Sequence, residues 1–103
     1  MQTQYLTRIY IGEANAKQNN GFTYGIDEQK NSVAKWAKKH NIDGFTILPA
    51  IGYWQSQAEY TLVVEILIGA EFKITDDMLL DLKQITAQNS VLVIRQTVNA
   101  EFV

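Results

Sequence analysis

Apolar positions recur along this chain with two different periods, and the switches between them order its elements. Residues 4–11 alternate and are rich in Tyr, Thr and Ile, which predicts a first strand. Residues 12–25 collect Gly, Asn, Lys and Gln and read as a loop long enough to carry function. Asp27 is the expected N-cap of a helix on which Val33, Trp36, Ala37 and His40 share a face, and Asn41 and Gly44 stop it. Two strands are expected at about 45–51 and 59–68, joined by a connection at 52–58. Thr75 caps a second helix. Asp76 and Asp77 complement its dipole, Ile74 is placed to staple to Leu79, and Met78, Leu82 and Ile85 continue its apolar face. Asn89 and Ser90 interrupt the chain before a last strand at 91–95 and an extended tail to Val103.

The predicted order is β-α-β-β-α-β, an α+β ferredoxin-like sandwich with both helices on one face of a four-stranded antiparallel sheet. Side chains alternate across a strand, so each face can be read separately. In the third strand Tyr60, Leu62, Val64, Ile66 and Ile68 oppose Glu59, Thr61, Val63, Glu65 and Leu67. In the last, Val91 and Val93 oppose Leu92 and Ile94; in the second, Phe45, Ile47 and Ile51 oppose Thr46, Leu48 and Ala50. A face left to water should be mostly polar. Neither face is, so the second is expected to be covered by further copies of the chain in a closed oligomer. A small-molecule site would then lie between subunits, with the 52–58 connection on its wall.

At 103 residues, 47% hydrophobic and 19% charged, the sequence reads as one ordered domain spanning 1–103. A net charge of -2 gives no long-range attraction for nucleic acid or anionic membranes. Lys35, Lys38 and Lys39 read as a solvated helix face. The absence of Cys fits a reducing cytoplasm, and no signal peptide or membrane span is read from the sequence. One His and no Cys argue against a zinc site, and His40 reads as a helix-end residue. Ser32, Ser56 and Ser90 have no triad context, and neither phosphate-cradling glycine motif occurs. The segment from Gly21 through Phe22, Thr23 and Tyr24 to Gly25 reads either as a loop closing over a ligand or as an ordinary turn.

Carboxylates beside aromatics remain. Tyr53 and Trp54 make the 52–58 connection heavy in large side chains, and Glu59 opens the strand after it. A carboxylate with aromatic rings suits an organic cation, or else the aromatics pack on a neighbouring subunit. Glu65, on the same strand face, is expected to pair with Arg8 or Arg95 across strands.

The Gly52-Tyr53-Trp54 run followed by Glu59, and the ending N-S-V-L-V-I-R-Q-T-V-N-A-E-F-V, resemble phage-encoded S-adenosylmethionine lyases. The resemblance implies a PII-like homotrimer that splits S-adenosylmethionine into methylthioadenosine and homoserine lactone without a cofactor, depriving host restriction–modification systems of their methyl donor. It implies a catalytic pair at Tyr53 and Glu59. The connection is shorter than that family's, which leaves Trp54 and Tyr24 as further candidates for the Tyr role. Trp54 and Tyr24 would otherwise cover the substrate, and Gln96, Thr97, Val98 and Asn99 would hold the adenine. Two other readings stand beside it: a PII-like sensor that binds a nucleotide or adenosyl ligand without turnover, and an inhibitor acting by protein contact through Tyr53 and Trp54.

Overall fold

A computed structural model describes residues 2–12, 25–69 and 72–103 of the chain. The elements run β1 (Gln2–Ile11), α1 (Ile26–Lys39), β2 (Thr46–Trp54), β3 (Gln57–Ile68), α2 (Asp76–Ile85) and β4 (Leu92–Ala100). The four strands pair antiparallel in the order β2-β3-β1-β4, the ferredoxin-like βαββαβ arrangement. Ile9 and Ile11 of β1 join Leu62, Val64 and Ile66 of β3 beneath Val33, Trp36 and Ala37 of α1 and Met78 and Leu82 of α2. Trp36 is buried, and its indole N–H donates to the Met78 carbonyl (2.8 Å), so the largest core side chain also ties the two helices together. Among the described residues no helix is long and apolar enough to cross a membrane.

The helix ends are set by backbone geometry that the sequence showed only partly. Gly25, not Asp27, is the N-cap of α1, in extended conformation and without a side-chain cap. The apolar face has to begin at Ile26, which packs on the core, so Asp27 and Glu28 fall in the first turn and serve its dipole. α2 starts as expected: Met78 N–H donates to Thr75 Oγ1 (3.2 Å), and Thr75 N–H returns to the Met78 sulfur (3.5 Å). Both helices end in Schellman motifs. After α1, Asn41 takes the left-handed conformation (φ 59°) and Ile42 N–H bonds the Ala37 carbonyl. Gly44, expected to share in that stop, lies beyond it. After α2 the left-handed residue is Ala87 (φ 54°), with Gln88 N–H bonded to the Lys83 carbonyl.

The largest departure is the β2–β3 connection. It is a two-residue turn, Gln55-Ser56, with both residues left-handed (φ 50° and 65°). Gly52 pairs with Glu59, Tyr53 with Ala58 and Trp54 with Gln57, so these are strand residues and Glu59 is the third residue of β3. Positive φ at both central positions matches the twist of a hairpin, and here it overrides the unfavourable turn chemistry of Gln and Ser. Similarly, β4 does not end at Arg95. Gln96 to Ala100 continue pairing with Leu6 to Gln2, because the long β1 offers them an unpaired edge. The expected loop at 12–25, with Tyr24, lies outside the described residues from 13 to 24.

An ion-pair cluster ties the C-terminal end of α1 to the middle of α2. Asp81 Oδ2 accepts from His40 Nε2 (2.7 Å) and lies 3.0 Å from Lys39 Nζ. The hydrogen bonds from His40 and then Lys39 hold the Asp81 carboxyl below the ordinary carboxylate range. Depression of the folded-state value means that the contribution is present above the unfolded value and is lost as pH falls through the folded one. Asp81→Asn should therefore cost roughly 0.5–1 kcal/mol at neutral pH, and denaturant titrations should show parent and variant converging in acid. The paired change Gln55→Asn with Ser56→Gly should raise stability by about 1 kcal/mol, read as a higher melting temperature.

Candidate functional site

Alternation assigns every strand residue to a face. Tyr5, Thr7, Ile9 and Ile11 of β1 share the helix side with Val93, Arg95, Thr97 and Asn99 of β4 and with Ile51 and Tyr53 of β2, and Val91, just before β4, packs on the same core. The other face carries Leu48, Val63, Leu67, Leu92, Ile94 and Val98, and nothing in the described chain covers it. Leu92 is 59% exposed there and Leu48 45%. At its centre Arg8 Nε donates to Glu65 Oε2 (2.7 Å) and Arg8 Nη1 to Gln96 Oε1 (2.9 Å). Glu65 thus takes the expected structural pairing, with Arg8. Arg95 lies on the opposite face.

Glu59 stands at the rim of this open face. Its backbone partner is Gly52. On its other side, a Cβ built on Gly12 would lie 2.9 Å from Glu59 Oε1, so Gly12 leaves the carboxylate its space, whereas a Cβ on Gly52 would meet Thr61 Oγ1 at 2.8 Å. Glu59 is exposed and has no hydrogen bond or ion pair among the described residues. Below it, the carbonyls of Gly12 and Thr86 each accept from the side-chain amides of both Gln29 and Gln88 (3.1–3.2 Å). This node joins the end of β1 to both helices and fixes the Gly12 side of the Glu59 seat. Gln29 Oε1 is buried without a partner among the described residues. The sequence signal for the node was two glutamines at loop–helix junctions, too common a residue there to single out.

Tyr53 is 75% exposed and lies on the helix side of the hairpin. Within one chain, then, Tyr53 and Glu59 occupy neighbouring rungs and opposite faces. Trp54 pairs with Gln57 through its backbone, and its side chain lies outside the described set, as does Tyr24. Gln96, Thr97, Val98 and Asn99 form part of edge strand β4 at the far end of the sheet. Register puts them about eight to eleven residue steps from Glu59, roughly 25–35 Å at ~3.3 Å per residue. One chain does not bring these groups around one ligand. No three His, Asp or Glu side chains converge as metal ligands would among the described residues.

No protein-family model matches the sequence, and no curated protein matches it. Solved structures do. CPII, a nitrogen regulatory PII-like protein from Thiomonas intermedia K12 bound to ADP, AMP and bicarbonate, superposes with a TM-score of 0.59 over 99% of both chains, at 12% identity. The periplasmic divalent cation tolerance protein CutA from Archaeoglobus fulgidus gives 0.60 over 96% of this chain and 87% of that one, at 9% identity. The chain has the ferredoxin-like fold of the PII-like and CutA proteins. A phage SAM lyase in complex with S-methyl-5′-thioadenosine shares it, with a TM-score of 0.54 over 97% of this chain and 92% of that one, at 20% identity. At these identities the likeness establishes the fold, and the chemistry has to be argued from the residues.

Proposed function

We propose that the chain is an S-adenosylmethionine lyase whose sites form between copies of a cytoplasmic homotrimer, and that Glu59 binds the cationic end of the substrate. The observation that carries this reading is an exposed carboxylate, given its space by Gly12 and without a protein partner among the described residues, at the rim of an apolar face that a second copy would cover. The shared fold of a phage SAM lyase that holds the adenosyl product adds support.

Such a site can be simple because the substrate brings most of the chemistry. The methionine carboxylate of S-adenosylmethionine attacks its own γ-carbon, the carbon–sulfur bond breaks, and the electron pair leaves on the sulfur of methylthioadenosine. Homoserine lactone is the other product, and no water, metal or outside nucleophile enters. The protein's contribution is to hold the folded conformer in which the carboxylate oxygen faces the carbon. Glu59 would attract the ammonium or sulfonium group, and Tyr53 would orient the methionyl chain. Because Tyr53 and Glu59 lie on opposite faces of one hairpin, the two would reach a common ligand from different copies. Gln96, Thr97, Val98 and Asn99 would meet the adenine from a neighbouring β4 edge, with Trp54 and Tyr24 covering the site. In a phage, the same reaction would deplete the methyl donor of host restriction–modification enzymes.

Incubation of the purified protein with S-adenosylmethionine should yield methylthioadenosine and homoserine lactone in equal amounts by liquid chromatography with mass detection. Glu59→Gln should lower kcat/KM roughly 10- to 100-fold, the equivalent of about 1.4–2.8 kcal/mol. Substrate-dependent thermal stabilisation without product would favour the PII-like sensor instead. Neither product nor stabilisation would sink both readings.

A further inference from the structure

The apolar face of α1 carries Ile26, Val33, Trp36 and Ala37, and Gln29 sits in the same row, where helical spacing calls for another apolar side chain. Gln29 is 3% exposed. Its amide nitrogen donates to the carbonyls of Gly12 (3.2 Å) and Thr86 (3.1 Å), while its Oε1 is buried without a partner among the described residues. Turning the amide over would set the oxygen against both carbonyls. Gln88 Nε2 donates to the same two carbonyls (3.1 and 3.2 Å), so neither depends on Gln29 for a partner. A buried amide that duplicates bonds already made, and leaves its own oxygen unpaired, weakens the core relative to an apolar residue of the same length. A packing rule broken without a gain in stability is expected where function depends on position.

What Gln29 adds is direction. Gln88 reaches Gly12 from the segment after α2, and Gln29 reaches it from α1. Two tethers from different elements leave the Gly12 peptide one place, whereas a single tether lets it pivot. A Cβ at Gly12 would lie 2.9 Å from Glu59 Oε1, so the Gly12 backbone is the wall beside which the carboxylate rests. We propose that Gln29 is a positioning residue for Glu59, fixing that wall so that the carboxylate meets the cationic end of S-adenosylmethionine in the geometry of the reactive conformer. The role rests on the lyase reading. A displacement of about 1 Å at such a contact is enough to lower turnover by up to ~100-fold.

The test is steady-state kinetics with S-adenosylmethionine beside thermal melting, on the parent, Gln29→Met, Gly12→Ala, Glu59→Gln and Gln29→Met combined with Glu59→Gln. Gln29→Met keeps the length of the side chain and removes both bonds. Its melting temperature should match or exceed the parent's, while kcat falls about tenfold and KM changes less than about threefold. Gly12→Ala, which moves the wall and leaves both glutamines in place, should reproduce the loss in kcat. In the Glu59→Gln background Gln29→Met should cost less than about twofold further, because the group it positions is already gone. A role in packing alone predicts the opposite: a lower melting temperature and kinetic losses that multiply. Should Gln29→Met fail to fold, Gln88→Met carries the same comparison. Parent-like kcat in Gln29→Met, or an equal proportional loss with and without the Glu59 carboxylate, would overturn the proposal. A parent that makes no methylthioadenosine removes the lyase reading and this role with it, whereas turnover indifferent to Gln29→Met removes the role and leaves the reading standing.

Discussion

Two helices cover one face of the four-stranded sheet, while the second face, nearly as rich in Leu, Ile and Val, has no cover among the described residues. Burial of apolar area stabilises by roughly 25 cal/mol per Å², so an open face carrying Leu48, Leu67, Leu92 and Ile94 is strongly favoured to find a partner surface. The Arg8–Glu65–Gln96 cluster in its middle gives that surface a polar key. Once covered, such a pair is costly to break singly, because the surviving charge is left without its partner. This one-sided sheet explains why the candidate groups are scattered in an isolated chain.

The scatter follows a pattern. Glu59 and Tyr53 stand at the hairpin end, while Arg95, Lys73 and the Gln96–Asn99 run of residues stand at the opposite end. The shared site proposed above requires that a ring of copies set the hairpin end of one against the β4 edge of the next. The two ends also differ in sign: among the described residues Glu59 has no partner at one, and Arg95 and Lys73 have none at the other.

Much of the fold was legible because it rested on periodicity. The alternation of β3, the Trp36 face of α1 and the Thr75 cap of α2 each follow from side-chain chemistry local to the segment. What escaped was decided by backbone pairing with distant residues. Gln55-Ser56 turns tightly because β2 and β3 continue to pair past Gly52, and Gln96–Ala100 is strand because β1 extends back to Gln2. The same limit governed the site. Sequence proximity joined Tyr53, Trp54 and Glu59, but one residue of register sends Tyr53 and Glu59 to opposite faces. The seat at Gly12 depends on a contact across 47 residues of chain, and Arg95 was weighed only as a partner for Glu65, although it lies on the other side of the sheet.

The covered face is the premise on which the shared site stands, and the mass of the particle in solution tests it most directly. Light scattering on the purified chain at micromolar concentration should give three times the mass of a single chain, and Ile94→Asp, which sets a charge on the open face, should shift that mass towards one. A parent protein that stays at the single-chain mass across that range would contradict a site built between copies.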